Sequence, residues 1–365
     1  MNIEKTLDRR FLGFRSILGF YRWQREKINI LKDKHASLGT KIWCLRHGFS
    51  VNDYNIFGHE NMRKNYRDYL SVKQYNQLHP INGMFTLWID DKLTVKHVFS
   101  RFGEHLPLYY FDIEDGAALR LPDCPDSVKA NGYEGIVELV RQEKKLALKQ
   151  LLGTYGRGFY RLEYVDGEFY ITGKKATEEE LIQLLKSLNH YLVTEFITNH
   201  EALRNIWPEA TNTLRVIMAN VEQEPVVLRT FIRFGNKKSN GVDNAHSGGG
   251  GLMSVVDEDT GKIMFTFTLD AEGYATRITN HPDSGASFDI TIPHWDMVID
   301  TCHKICRSYP ELRYWGLDVA ITDEGFKILE INSLSGLRPT QLKEPLLKDP
   351  KTRRAFEYFG LKIKK

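Results

Sequence analysis

The chain has 365 residues, 42% of them hydrophobic and 27% charged, enough for two or three domains with large cores. A net charge of +3 spread over that length is no electrostatic footprint for nucleic acid. No apolar run nears the roughly 18 residues of a membrane span, and MNIEKTLDRRFLGF lacks the apolar region and cleavage site of a signal peptide. Four cysteines (Cys44, Cys124, Cys302, Cys306) make no disulfide framework, which predicts a reducing, cytoplasmic setting.

The first forty residues set basic side chains among Phe, Leu, Ile, Tyr and Trp at near-helical spacing. Residues 1–34 hold nine Lys or Arg against four acids, a net of +5. Two readings follow: a basic amphipathic segment meeting an anionic membrane or acidic partner, or helices packed on the main body. Residues 41–125 mix helical and extended pattern. Their clearest piece is a helix with an acidic start at Asp90–Asp91 and apolar Leu93, Val95, Val98 and Phe99, ending near Gly103. ALRLPDCPDSVKANG reads as a linker. GYEGIVELVRQEKKLALKQ returns to helix and runs into a strand around Lys149. From Gly158 the period switches to two, and FYRLEYVDGEFYITGKK predicts a hairpin turning at Asp166–Gly167. Thr177 to His190 reads as an amphipathic helix with three glutamates in its first turn. Strands YLVTEFIT, TLRVIMANV and PVVLRTFIRFG follow, then the loop VDNAHSGGGGLMSV and a hairpin. The helix WDMVIDTCHKICRSYP leads to the last strands, YWGLDVAITD and FKILEINS. Cys302 and Cys306, one turn apart on that helix, read as packing rather than as a metal site.

Two stretches carry chemistry. LKQLLGTYGRGFYRL sets Lys149 just before Gly153, Gly156 and Gly158. It has neither the P-loop order, with lysine after the glycines, nor the spacing of a dinucleotide fingerprint. Downstream, Glu330 and Asn332 are two apart and share one strand face. A tight turn at Asp323–Glu324–Gly325 is expected to bring Asp318 beside them, with Val319, Ile321, Leu329 and Ile331 on the buried side. Three oxygen-bearing side chains around one point suit Mg²⁺. The alternative is two solvated hairpin carboxylates and a turn asparagine.

The order Asp91–Lys92 leading a helix, Lys149 before glycines, a D-G hairpin, a helix, a strand ending T-E-F-I, then G-L-D-V-A and L-E-I-N-S resembles the ATP-grasp superfamily over roughly residues 85–345. NTLRVIMAN, V-D-N-A-H-S-G-G-G-G and E-I-N-S-L-S-G resemble its branch associated with sugar-transfer and polysaccharide loci. The resemblance implies an α+β fold, two lobes clamping ATP behind an N-terminal helical extension. It divides the chain into a basic extension (1–40), an N-terminal α/β region (41–125), a glycine-lid subdomain (126–198) and a C-terminal subdomain with the metal site (199–365).

Carried over by position, the resemblance makes 153–158 a lid over the triphosphate, with Gly153, Tyr155, Gly156, Arg157 and Gly158 in contact with ATP. Lys149 meets the α- and β-phosphates, and Lys92 or Lys96 adds a second cation. Thr194, Glu195, Phe196 and Ile197 form the hinge at the adenine edge. Asp318, Glu330 and Asn332 hold Mg²⁺. Arg215 and Arg229 serve the transferring phosphoryl group, and His246, in the Asp243–Gly251 cluster, orients or deprotonates an amine. Ser333, Ser335 and Gly336 are expected to form an oxyanion or carboxylate nest. Gln150 stands where the family often has proline, and Tyr155 and Arg157 are bulkier than its usual loop residues.

The implied activity is an ATP-dependent carboxylate–amine ligase working through an acylphosphate. Its partners are a small carboxylate and an amine, or a glycan precursor, and no nucleic acid. Alternatives are an ATP-dependent kinase of a sugar or small metabolite, and a non-catalytic ATP-binding module of a polysaccharide assembly. The expected location is the cytoplasm, with the basic N-terminus open to peripheral contact with the inner membrane surface or a glycan assembly.

Overall fold

The computed structural model describes residues 3–153, 158–239, 241, 243, 251–270 and 273–363, the side chains of 3–16 and 18 excepted. Two seven-stranded antiparallel sheets carry the molecule. The first comprises β1 (Tyr109–Glu114), β2 (Ala117–Arg120), β3 (Lys145–Gln150), β4 (Tyr160–Val165), β5 (Glu168–Ile171), β6 (Lys174–Ala176) and β7 (Tyr191–Glu195), in the order β2-β1-β7-β3-β4-β5-β6. The second comprises β8 (Thr213–Val221), β9 (Glu224–Phe234), β10 (Leu252–Val256), β11 (Ile263–Leu269), β12 (Ala275–Ile278), β13 (Tyr314–Ile321) and β14 (Phe326–Asn332), in the order β12-β11-β10-β9-β8-β13-β14.

Residues 3–105 are helices and 3-10 turns among the described residues. The extended pattern expected within 41–125 therefore begins only at Tyr109, and its strands belong to the first sheet. The expected linker starts as β2, which pairs β1, and β1 pairs β7. The boundary placed at 125 thus cuts across a hydrogen-bonded sheet.

Local chemistry sets many element ends. Asp166 and Gly167 both take positive φ, 52° and 84°, so their turn matches the twist of the β4–β5 pair. Thr177 and Glu180 form a reciprocal capping box on Glu178–Ser187. Asp91 caps Lys92–Val98 by accepting from the Thr94 N–H at 2.6 Å, which puts Lys92 on the first helical turn.

One face of the first sheet buries Leu146, Leu148, Leu162 and Val193 beneath helices Gly132–Glu143 and Glu178–Ser187. The alternating residues Ala147, Lys149, Leu192 and Thr194 occupy its other face. In the second sheet, Leu214, Val216, Leu317, Val319 and Ile331 pack against helix Trp295–Ser308. Cys302 and Cys306 lie in that core as neutral thiols, pushed by burial up to about 12, so the packing reading of TCHKIC holds. The N-terminal helix Ile3–Lys32 seats Trp23 and Ile30 in a separate cluster with Cys44, Phe49 and Tyr54.

The two sides of that helix predict opposite responses. Ile30→Ala, in the packed cluster, is expected to cost about 3 kcal/mol, whereas Ile28→Ala, on the exposed side, is expected to cost about 0.5 kcal/mol or less. Urea unfolding of both variants checks the orientation.

Candidate nucleotide and metal site

A bulge assembles the acidic centre. Counting back from the β13–β14 turn, Ile321 opposes Phe326 and Val319 opposes Ile328, but Asp318 opposes Glu330 because Leu329 is the extra residue. A hairpin with unbroken register would pair Asp318 with Leu329 and turn Glu330 to the opposite face. The expectation that a tight turn alone brings the three together is corrected here: the bulge does so, setting Asp318 against Glu330 and Gly316 against Asn332.

A second bulge aims the arginines. Beyond Met218 opposite Val227, the pairing of β8 with β9 shifts by one, so Ile217 opposes Arg229, Arg215 opposes Phe231 and Thr213 opposes Arg233. Leu228 is the residue left over, and Arg215, Arg229 and Arg233 share one face. Arg215 also lies directly across from Asp318 on β13. Its guanidinium grips both Asp318 oxygens, Nη2 to Oδ2 at 2.7 Å and Nε to Oδ1, while Nη1 donates to Ser335 Oγ at 2.9 Å. Gly316 permits this approach: a Cβ there would lie 1.9 Å from Ser335 Oγ and 3.0 Å from Arg215 Cδ.

Arg233, which the sequence reading did not single out, donates to Asp318 Oδ2 at 3.0 Å and to Thr213 Oγ1 at 2.6 Å. Its Nε lies 3.4 Å from Asp243 Oδ2, which also accepts from the Thr213 N–H at 2.8 Å. Burial alone would raise the Asp318 carboxyl, but the two guanidinium groups outweigh it and hold the group well below the usual carboxylate range. For Asp243 the balance is reversed, and burial raises it despite Arg233 and the Thr213 bonds. Strand alternation puts Arg233 on the same face as Phe231 and Arg229, but it does so for both arginines alike and so did not single out Arg233.

Two lysines approach the acidic pair, Lys92 from the helix Lys92–Val98 and Lys149 from β3 of the first sheet. Lys92 is buried, and its Nζ lies 3.1 Å from Glu330 Oε1 and 3.2 Å from the Gly153 carbonyl, joining the glycine turn to the acidic strand. Lys149 has no hydrogen-bond partner among the described residues. Burial, with Lys92 adding repulsion, lowers its ammonium from an ordinary 10.5 to about 8, against the attraction of Glu330, Asp318 and Glu195. Lys92 and Lys96 differ in what they touch. Lys96 pairs with Asp123 at 2.5 Å, donates to the Pro107 carbonyl and lies over the Tyr109 ring, so it is committed elsewhere. Gln150 closes the base of the glycine loop. At Gly158, where φ is 70°, a Cβ would meet Tyr191 Oη at 2.3 Å and Gln150 Nε2 at 3.0 Å.

The expected hinge segment, Thr194 to Ile197, leaves the first sheet with much of its backbone committed. Thr194 Oγ1 donates to the Glu195 carbonyl at 3.2 Å, the Glu195 N–H donates to the Leu108 carbonyl at 2.9 Å, and the Ile197 carbonyl accepts from Thr211 Oγ1 at 3.0 Å. The Phe196 ring sits under the Lys145 ammonium, 5.0 Å from its centroid. Tyr155, Gly156, Arg157 and His246 lie outside the described residues.

Two expectations need correction. Arg229 shares the Arg215 face but lies further along β9, bonded to Asp349 at 2.6 Å and Thr352 at 3.1 Å, so it ties the strand to helix Pro350–Tyr358 instead of joining the cluster. The Ser333–Gly336 bend is not an open nest. Ser333 gives its N–H and hydroxyl to Asp90, and the Ser335 carbonyl accepts from Tyr314 Oη at 2.6 Å and from Tyr75 Oη.

Among the described residues no three His, Cys, Asp or Glu side chains are grouped to hold a metal. The oxygen set present is two opposed carboxylates plus the Asn332 amide, whose Nδ2 is buried without a hydrogen-bond partner. Hard oxygen donors of this kind, completed by phosphate, fit Mg²⁺. The cations Lys92, Lys149, Arg215 and Arg233 around them suit a polyphosphate.

The family described as sugar-transfer associated ATP-grasp matches residues 73–352. Among solved structures, the ATP-grasp ligase PsnB complexed with minimal precursor is 9% identical with a TM-score of 0.39, covering 76% of this chain and 62% of its own. D-alanyl-alanine synthetase A from Vibrio cholerae O1 biovar eltor is 10% identical with a TM-score of 0.42, covering 77% of this chain and 66% of its own. D-alanine–D-alanine ligase from Bacillus anthracis is 11% identical with a TM-score of 0.38, covering 76% and 67%. The match thus spans under two thirds of the PsnB chain in that complex. No curated protein matches.

Arg229 and Arg215 are separable by experiment. Arg229→Met leaves Asp349 partly buried without its cation and is expected to lower stability by about 3 kcal/mol. Nucleotide affinity of the folded variant should be unchanged, as read by urea unfolding and by calorimetric titration.

Proposed function

The chain belongs to the sugar-transfer associated ATP-grasp family, and we propose that it is an ATP-dependent ligase joining a carboxylate to an amine through an acylphosphate, on a surface glycan or its precursor. The observation that carries this reading is the convergence of Lys92, Lys149, Arg215 and Arg233 on Asp318 and Glu330 between the two sheets. Asp318, Glu330 and Asn332 would hold Mg²⁺. When bound, it neutralises charge on the phosphate oxygens.

The chain's own groups do the rest. Lys149, desolvated and with no side-chain partner among the described residues, is placed to bind a phosphate oxygen. Lys92, now paired with Glu330, is the cation that can exchange partners once Glu330 takes a metal ion. Arg215 and Arg233 fix the Asp318 oxygens and keep them ionised, and they line the space in which a transferring phosphoryl group gains charge. Gly153 and Gly158, held by Lys92 and Gln150, end the segment that the family resemblance makes a lid, whose role would be to exclude water from an acylphosphate. The glycan assignment draws on the family description alone.

ADP release from Mg-ATP, offered pools of amino acids, amines and uronic-acid sugars, tests this with mass spectrometry of the products. Release that requires both a carboxylate and an amine, joined with loss of water, is the expected result. Release with one acceptor and a product heavier by a phosphoryl group makes the protein a kinase, and failure to bind Mg-ATP rejects the reading altogether. Lys149→Met should lower kcat by about a hundredfold.

The lowered Lys149 pKa gives a pH dependence with a definite sign. In the free protein the charged form is disfavoured, so this group weakens stability at neutral pH, and the penalty lifts as pH rises from about 8 toward 10.5. Nucleotide binding runs the other way because it uses the ammonium. Affinity for Mg-ATP should fall by up to about tenfold per pH unit above that pKa, and Lys149→Met should flatten the profile in calorimetric titrations.

A further inference from the structure

The N-terminal helix has a second apolar stripe that none of the described residues covers. Ile17, Phe20, Tyr21, Ile28 and Leu31 are each more than half exposed, while Trp23 and Ile30 are packed away on the other side. At the helical repeat these five fall within one arc of about 100°. Arg25 and Lys27 flank that arc on its two sides and Lys32 lies at its edge. Glu26 and Asp33 fall on the packed side, where burial raises the Glu26 carboxyl. The next helix, Leu38–His47, adds exposed Leu38 and Ile42, and Lys41 Nζ donates to the Leu31 carbonyl at 3.0 Å, holding it against the end of the stripe.

We infer that this stripe docks on an anionic lipid surface, with the helix lying flat in the headgroup region. Its apolar side chains are bordered by cations and no acids, the complement of a bilayer rich in negative headgroups. No described helix is long and apolar enough to cross a membrane, so contact from the surface is the available mode for this segment. A second copy is a poor occupant. Self-complementary pairing through the stripe would set Arg25, Lys27 and Lys32 against the same basic rim, with no acid within the arc to meet them.

The test uses the full chain and sedimentation with vesicles of phosphatidylglycerol in phosphatidylcholine, against vesicles of phosphatidylcholine alone. Binding to the anionic vesicles should be at least about tenfold tighter and should weaken with salt. The double variant Phe20→Ser/Ile28→Ser should lose about tenfold or more, with an unchanged melting transition because both side chains are exposed. Its ADP release in solution should also be unchanged, which separates this inference from the ligase reading. Equal binding to both vesicle types overturns the inference. Absence of binding to either overturns it in favour of an acidic protein surface. A concentration-dependent dimer dissociated by the same double variant overturns it in favour of a second copy.

Discussion

A carboxylate buried on a sheet face stays ionised only where cations stand against it, and Asp318 has two. Arg215 reaches it from β8 and Arg233 from β9, so three strands must hold their relative register for one acid to keep its charge. Without those guanidinium groups, burial would favour the neutral acid, a poor metal ligand and an uncompensated polar group. The two bulges serve the same requirement. One, at Leu329, turns Glu330 toward Asp318, and the other, at Leu228, turns Arg229 and Arg233 onto the Arg215 face. Each costs a ladder pairing and gains an aligned charge.

The first sheet is coupled to this centre mainly through Lys92. A lysine at a helix N-terminus opposes the positive end of the helix dipole; here Glu330 offsets that, and the Gly153 carbonyl takes a second proton of the same ammonium. One side chain therefore spans the glycine turn and the acidic strand. With Lys149 nearby, four cations face the carboxylates of Asp318, Glu330 and Asp243, and Glu195 also attracts Lys149. A desolvated lysine with no side-chain partner among the described residues is the group in this cluster with most to gain from a polyanion.

The elements that could be read from sequence were those whose signal is local. The Asp166–Gly167 turn, the Thr177 cap and the Asp91 cap each rest on side chains within three residues of the backbone they satisfy. Glu330 and Asn332 shared a face by simple alternation. Register is not local, and there the reading failed. Arg229 and Arg233 are chemically identical and both face the Arg215 side, so nothing in PVVLRTFIRF ranks them. What separates them is position along β9. Arg233 is opposite Thr213, within reach of Asp318, and Arg229 is opposite Ile217, within reach of Asp349. A bulge of one residue leaves no compositional mark, since Leu228 and Leu329 look like ordinary strand residues. The same holds for 41–105, where helical and extended patterns alternate over runs too short for periodicity to decide between them.

The shared face of the second sheet therefore does two jobs at its two ends. At one end, Ile217, Ala219 and Phe231 belong to the apolar cluster under helix Pro350–Tyr358, and Arg229 locks that helix through its cap. At the other, the same alternation of residues presents Arg215, Arg233 and Asp318. A rigid, apolar-packed end gives the charged end a fixed geometry, and that matters because a buried charge cluster has no apolar packing of its own to hold it. Lys149 shows the consequence. Its ammonium is kept in place although burial and Lys92 both disfavour its charge, an electrostatic strain that a phosphate bound there, as proposed, would relieve.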